Sequence, residues 1–172
     1  MIVPASRARW HTEQSAALPF RRTPSGLRIL LITSRTTRRW VLPKGNVEAG
    51  MRPPDSAARE AWEEAGIGGR VGRTCCGVYT YVKRDDKKGR CIVRVFPLKV
   101  TAVHSDWPER RQRRREWVSP KTASARVREA GLSRILLAFA RLDDAAGRQV
   151  ESVSYGRVEA TGRRNRLLRR EN

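Results

Sequence analysis

Glu60, Glu63 and Glu64 recur at helical spacing just after a glycine-containing turn that starts at Gly45, with Arg59 beside them. At about 100° of rotation per residue these carboxylates share one arc of roughly 100°, while Ala57, Ala58, Ala61, Trp62 and Ala65 share the other side. Carboxylates this close repel one another and raise each other's pKa, a cost that a hard divalent cation or Arg59 offsets. Glutamate oxygens suit magnesium, which prefers octahedral oxygen ligands and keeps several of its waters, with manganese as the alternative ion. A solvated face held by an Arg59–Glu63 i,i+4 pair is the other reading that composition leaves open.

The elements that must position these groups follow from pattern. Asp55 or Ser56 after Pro53-Pro54 is expected to cap the acidic helix at its start, and Gly66 to stop it. Residues 15–22 and 27–35 read as strands joined by a turn at Pro24-Ser25-Gly26, and residues 40–43 as a short strand leading into the Gly45 turn. Residues 70–83 and 91–103 read as a hairpin across the charged turn 85–89. A basic run at 110–115, a strand at 116–118 and helices over 121–130 and 132–142 follow, the last with Leu132, Ile135, Leu136 and Phe139 as its apolar stripe. One helix mid-chain and helices near the end, set among strands, suit an α/β sandwich with a mixed sheet.

The 172-residue chain suits one domain, residues 14–143, between a loose N-terminus over residues 1–13 and a basic tail over 144–172, expected to be disordered or to become helical only on a partner. The formal charge of +20 implies a polyanionic partner: a clustered phosphate ligand, nucleic acid or an anionic membrane surface. No apolar run is long enough to span a bilayer, and residues 1–15 lack the apolar core of a signal peptide, so a cytoplasmic protein is expected. Cys75, Cys76 and Cys91 lack metal-ligand spacing and read as reduced core thiols.

Written out, the motif is Gly45, five residues, Met51, seven residues, then Arg59-Glu60-Ala61-Trp62-Glu63-Glu64-Ala65-Gly66-Ile67, which closely resembles the Nudix box of Nudix hydrolases. The resemblance implies a Nudix-type α/β/α sandwich carrying a loop-helix-loop. Residues 38–45, 57–73 and 96–120 further resemble the diphosphoinositol polyphosphate phosphohydrolase branch, especially its bacterial relatives. That resemblance implies metal ligation by Glu60, Glu63, Glu64 and the Lys44 carbonyl. It makes Glu60 the candidate base and Arg59 the residue that orients the glutamates. It also implies phosphate contacts from Arg21, Ser34, Arg39 and Arg115, Arg39 foremost because it precedes the strand leading to the metal. Met51 departs from the pattern, which has a glutamate there. Glu109 and Glu116 are the local candidates for the further glutamate that many Nudix enzymes draw from the loop before a late tryptophan, here Trp117; a structural ion pair is the expected role of Glu116.

The implied reaction is hydrolysis of a phosphoanhydride in a polyphosphorylated small molecule, with diphosphoinositol polyphosphates first. Dinucleoside polyphosphates such as diadenosine polyphosphates, or nucleoside triphosphates, come next, and Trp10, Trp40, Tyr79, Tyr81 and Trp107 are the aromatics available to stack a base. A noncatalytic Nudix-like module binding polyanions or RNA is the reading from another class, motivated by Met51 and by the arginine-rich tail.

Overall fold

In the computed structural model, residues 11–82 and 89–154 are described, the side chains of residue 11 and of residues 147–154 excepted. The long strand β1 (His11–Thr23) organises the sheet. It runs parallel to β7 (Arg90–Val103), from His11 opposite Arg90 to Phe20 opposite Lys99, and antiparallel to β2 (Gly26–Thr33) across the turn at Pro24-Ser25. Gly26 closes that turn at φ 97°, a left-handed conformation that a side chain would disfavour.

Beyond Phe20 and Ile29 the first two strands diverge, and the following chain fills the wedge. Its first part, β3 (Trp40–Val41), pairs with β2, and its second, β4 (Lys44–Asn46), pairs with β1 at Gln14 to Ala16. The Pro43 carbonyl accepts from Ala17 N–H at 3.0 Å between them. The far edge of β7 carries β5 (Ile67–Val71) against its C-terminal half and β6 (Gly77–Val82) against its N-terminal half. The last strand, β8 (Arg115–Val118), returns to the other edge of β2.

Helix α1 (Pro53–Ala65) covers one face of this sheet, and α2 (Pro120–Arg126) with α3 (Ala130–Ser154) covers the other. Alternation along the strands assigns the two cores. Ala17, Leu30, Ile32, Phe96 and Leu98 meet Ala57, Ala61 and Ala65 of α1, whereas Ala16, Leu18, Ile29, Leu31, Val93 and Val95 meet Leu132, Ile135 and Leu136 of α3. Burying side chains of this size contributes roughly 1.5–3 kcal/mol each. Phe139 completes the α3 stripe edge-on to Phe20, with ring centroids 5.0 Å apart. Among the described residues, no helix is long and apolar enough to cross a membrane.

Several element boundaries differ from the sequence expectation. The first strand starts at His11, within the segment expected to be loose, because parallel pairing with β7 begins there. The expected strand 70–83 is two strands, interrupted over residues 72–76 where the chain steps around Pro97. The α3 helix crosses the expected boundary at 144 and continues to Ser154, with Arg22 bonding the Asp143 carboxylate at 2.7 Å near that boundary. The antiparallel pairing of β6 with β7 is present; of the expected turn 85–89 only Gly89 is described, and residues 83–88, like residues 1–10 and 155–172, lie outside the described residues. All three cysteines are free thiols.

Candidate active site

The acidic helix begins earlier than Asp55. Arg52 is its N-cap, extended and without a side-chain cap bond, and Pro53 and Pro54 occupy the first turn, where a missing N–H leaves no hydrogen bond unmade. Asp55 instead pairs with Arg52 at 2.7 Å, and the Ser56 side chain is buried toward the Asn46 carbonyl. Gly66 ends the helix as expected, left-handed at φ 61°, its N–H bonding back to Trp62 O at 2.9 Å. The faces also divide differently. Trp62 stays outside, edge-on to His104, whereas Glu64 turns inward and is only 8% exposed.

Each glutamate has a distinct setting. The Glu64 carboxylate accepts the Lys44 N–H at 3.0 Å on one oxygen and the Arg113 guanidinium on the other. Burial pushes this carboxyl up to about 7, against the opposing pull of Arg113 and of the Lys44 amide. Glu63 accepts from Arg59 Nε at 2.9 Å, the expected i,i+4 pair. Glu60 is half-buried, its carboxylate lying against the Cα of Gly45 so closely that a Cβ there would overlap Oε1. Desolvation first, and then the Glu63 charge, raise the Glu60 pKa.

These side chains open onto a cleft of about 1410 Å³. Of the residues expected from sequence, Ser34, Arg39, Lys44, Glu60, Glu63 and Glu64 line it together. Ser34 and Arg39 are joined by the loop between β2 and β3, where the Ser34 hydroxyl accepts Arg39 N–H at 3.1 Å, and Arg39 also reaches Glu129 at 3.3 Å. Arg21 and Arg115, expected beside them, do not line this cleft. Arg21 lies over the Trp117 ring at 4.1 Å, and Arg115 stacks on Trp107 at 4.0 Å while donating to the carbonyls of Ala65 and His104. Arg115 thus ties the C-terminus of α1 to the end of β7, because the carbonyls leaving a helix attract a cation.

Sequence reasoning missed Arg113, Arg35 and Arg128, which also line the cleft. Arg113 has a side chain only 6% exposed and donates to Glu64, to Glu109 and to the Thr33 carbonyl. A run of arginines gives no signal for which member turns inward; a pairing partner buried on α1 is what selects Arg113. Glu109 therefore stands at the cleft rim, and Glu116 pairs with Arg126 at 2.9 Å, the structural role expected of it.

Among the described residues, no three acidic, His or Cys groups stand close enough to enclose a metal as arranged. The donor chemistry nevertheless fits a hard cation. Among the described residues Glu60 has no hydrogen-bond or ion-pair partner, its charge is disfavoured by burial and by Glu63, and the Gly45 backbone leaves it room.

A mixed sheet between helices, with an acidic helix facing a wall of arginines across the strand wedge, defines an α/β/α domain whose site is a loop-helix-loop. The sequence model of the NUDIX domain matches residues 11–139, and the chain belongs to the NUDIX family. The Arabidopsis thaliana protein named Nudix hydrolase 12, mitochondrial, is 33% identical over 136 residues, 76% of this chain and 66% of that protein. Diphosphoinositol polyphosphate phosphohydrolase 2 of Rattus norvegicus is 35% identical over 113 residues, 64% of this chain and 60% of that one. The chain thus aligns with less than two thirds of the length of these relatives. A Caenorhabditis elegans Ap4A hydrolase crystal structure superposes with a TM-score of 0.60 at 20% identity over 76% of this chain and 97% of that one, a likeness of fold.

Proposed function

We propose that this protein is a metal-dependent hydrolase that cleaves phosphoanhydride bonds, acting on diphosphoinositol polyphosphates. The observation that carries the reading is the juxtaposition, in one cleft, of the Glu60, Glu63 and Glu64 carboxylates with Arg35, Arg39, Lys44 and Arg128. Carboxylates suit a hard cation, and the cations opposite them suit the phosphates of a substrate too large and too charged for an apolar pocket. The protein named a diphosphoinositol polyphosphate phosphohydrolase at 35% identity supports the same substrate class.

Magnesium or manganese, held by Glu60, Glu63, Glu64 and the Lys44 carbonyl, would neutralise charge developing on the phosphate oxygens and acidify an attacking water. The chain's own groups do the rest. Arg39 and its basic neighbours hold the phosphates, and the Ser34 hydroxyl offers a donor beside them. Glu60, its pKa raised by burial, takes the proton from water as the oxygen attacks phosphorus and the bridging P–O bond breaks. Arg59 fixes Glu63, and Arg113 fixes Glu64.

Dinucleoside polyphosphates are the second reading, and the placement of the aromatics weighs against it. Tyr81 alone of these lines the cleft, and its ring is already covered by Lys44 at 4.9 Å and by Tyr79; Tyr79 is buried, Trp40 lies under Arg126 and Trp107 under Arg115, and Trp10 is outside the described residues. A panel of diphosphoinositol pentakisphosphate, diadenosine polyphosphates and nucleoside triphosphates, assayed with magnesium and manganese, tests the proposal. Metal-dependent release of phosphate from the first, abolished in Glu63→Gln, is expected. No turnover of any of them would leave a noncatalytic polyanion-binding module. RNA affinity that falls steeply with salt and vanishes on removal of residues 144–172 would assign the tail a separate electrostatic role.

A further inference from the structure

We infer that Glu48 is a positioning residue: from the first corner of a turn whose fourth residue is Met51, it supplies the carboxylate that orients Arg59 and, through it, Glu63. Arg59 is gripped on both sides. Its Nε donates to Glu63 at 2.9 Å, while Nη1 and Nη2 donate to the two oxygens of Glu48, each at 2.7 Å. Two parallel bonds from a planar fork fix the plane of the guanidinium, and that plane fixes the Glu63 oxygen bonded to Nε.

The backbone explains how position 48 comes to serve. Met51 N–H bonds to the Glu48 carbonyl at 3.1 Å, and Gly50 between them has φ 81°. That is a β-turn with its left-handed position filled by glycine, and such a turn brings its first and fourth residues within about 7 Å. Residues 48 and 51 are therefore neighbours, both leading toward α1. The Met51 thioether is a weak acceptor and cannot hold a guanidinium, so the carboxylate that orients Arg59 comes from the first corner of the turn. Both side chains are partly exposed, 57% for Glu48 and 38% for Arg59, so the pair adds little to stability; its effect is on orientation.

This inference rests on the proposed metal-binding role of Glu63. Its test is Mn2+ binding measured by electron paramagnetic resonance and calorimetry, with the melting temperature recorded alongside. Glu48→Gln is expected to weaken Mn2+ binding about tenfold, as loss of a group supporting a metal ligand does, without changing the melting temperature. Met51→Glu added to Glu48→Gln is expected to restore the affinity, and Glu48→Gln is expected to add nothing to Arg59→Ala. Unchanged Mn2+ affinity in Glu48→Gln, or no restoration by Met51→Glu, overturns the role given to Glu48. Absence of Mn2+ binding by the wild-type protein would overturn the metal-site reading itself, and this inference with it.

Discussion

Arg113 and Glu64 form an ion pair sealed almost completely from water, the side chains 6% and 10% exposed, between the loop before β8 and the inner face of α1. The pair joins a residue of the proposed metal site to the chain segment that borders the cleft, and Glu109 takes a second bond from the same guanidinium. Removing one member leaves a charge buried without its partner. Arg113→Met is therefore expected to destabilise the protein by about 3–5 kcal/mol, read from urea unfolding, with the double variant Arg113→Met/Glu64→Leu recovering part of that loss.

Metal affinity should depend on pH in a definite sense. Burial raises Glu64 to about 7 and raises Glu60 as well, so protons compete for the oxygens that a cation needs. A raised pKa means that the protonated form persists up to its folded value. Mn2+ affinity should accordingly rise as the pH climbs through about 7 and fall on the acid side, with proton release on binding near neutrality. Calorimetry in buffers of different ionisation enthalpy measures that release. A flat affinity between about pH 5 and pH 8 would contradict it.

The close packing of Gly45 against Glu60 separates catalysis from folding. A methyl group at position 45 would overlap the Glu60 carboxylate, which must then swing away because the backbone of β4 is held by β1. Gly45→Ala should lower kcat about 100-fold, comparable to losing a positioned general base, while the melting temperature shifts by only a few degrees. Glu60→Gln should show a similar loss in kcat, and a thermal melt on both variants checks that the fold is intact.

Arg39 and Arg115 should part company in kinetics. Arg39 lines the cleft, so Arg39→Ala should raise KM for a polyphosphorylated substrate about tenfold, as loss of one charge-assisted phosphate contact would. Arg115 lies on Trp107 and on the carbonyls that end α1, so Arg115→Ala should lower the melting temperature and leave KM unchanged. A raised KM in Arg115→Ala would return that residue to the binding site.

The sequence by itself determined the acidic helix, its glycine stop, most of the strands and the Nudix family, because those follow from local periodicity and fixed spacing; it left β4 within a turn and merged β5 with β6. Glu60, Glu63 and Glu64 fall on one arc of a helix of this length, and the unbroken apolar run Leu30-Leu31-Ile32 suits a strand buried on both faces. What it left open was direction. The helix start moved to Arg52 because two prolines tolerate the first turn, and Glu64 went inward because the sheet offered it Arg113 and the Lys44 N–H. Which arginine of residues 110–115 turns into the cleft, which one caps α1, and that Glu48 reaches across to Arg59 were decided only in three dimensions. Loop side chains follow no period; they point toward whichever charge, ring or carbonyl the distant parts of the chain bring within reach.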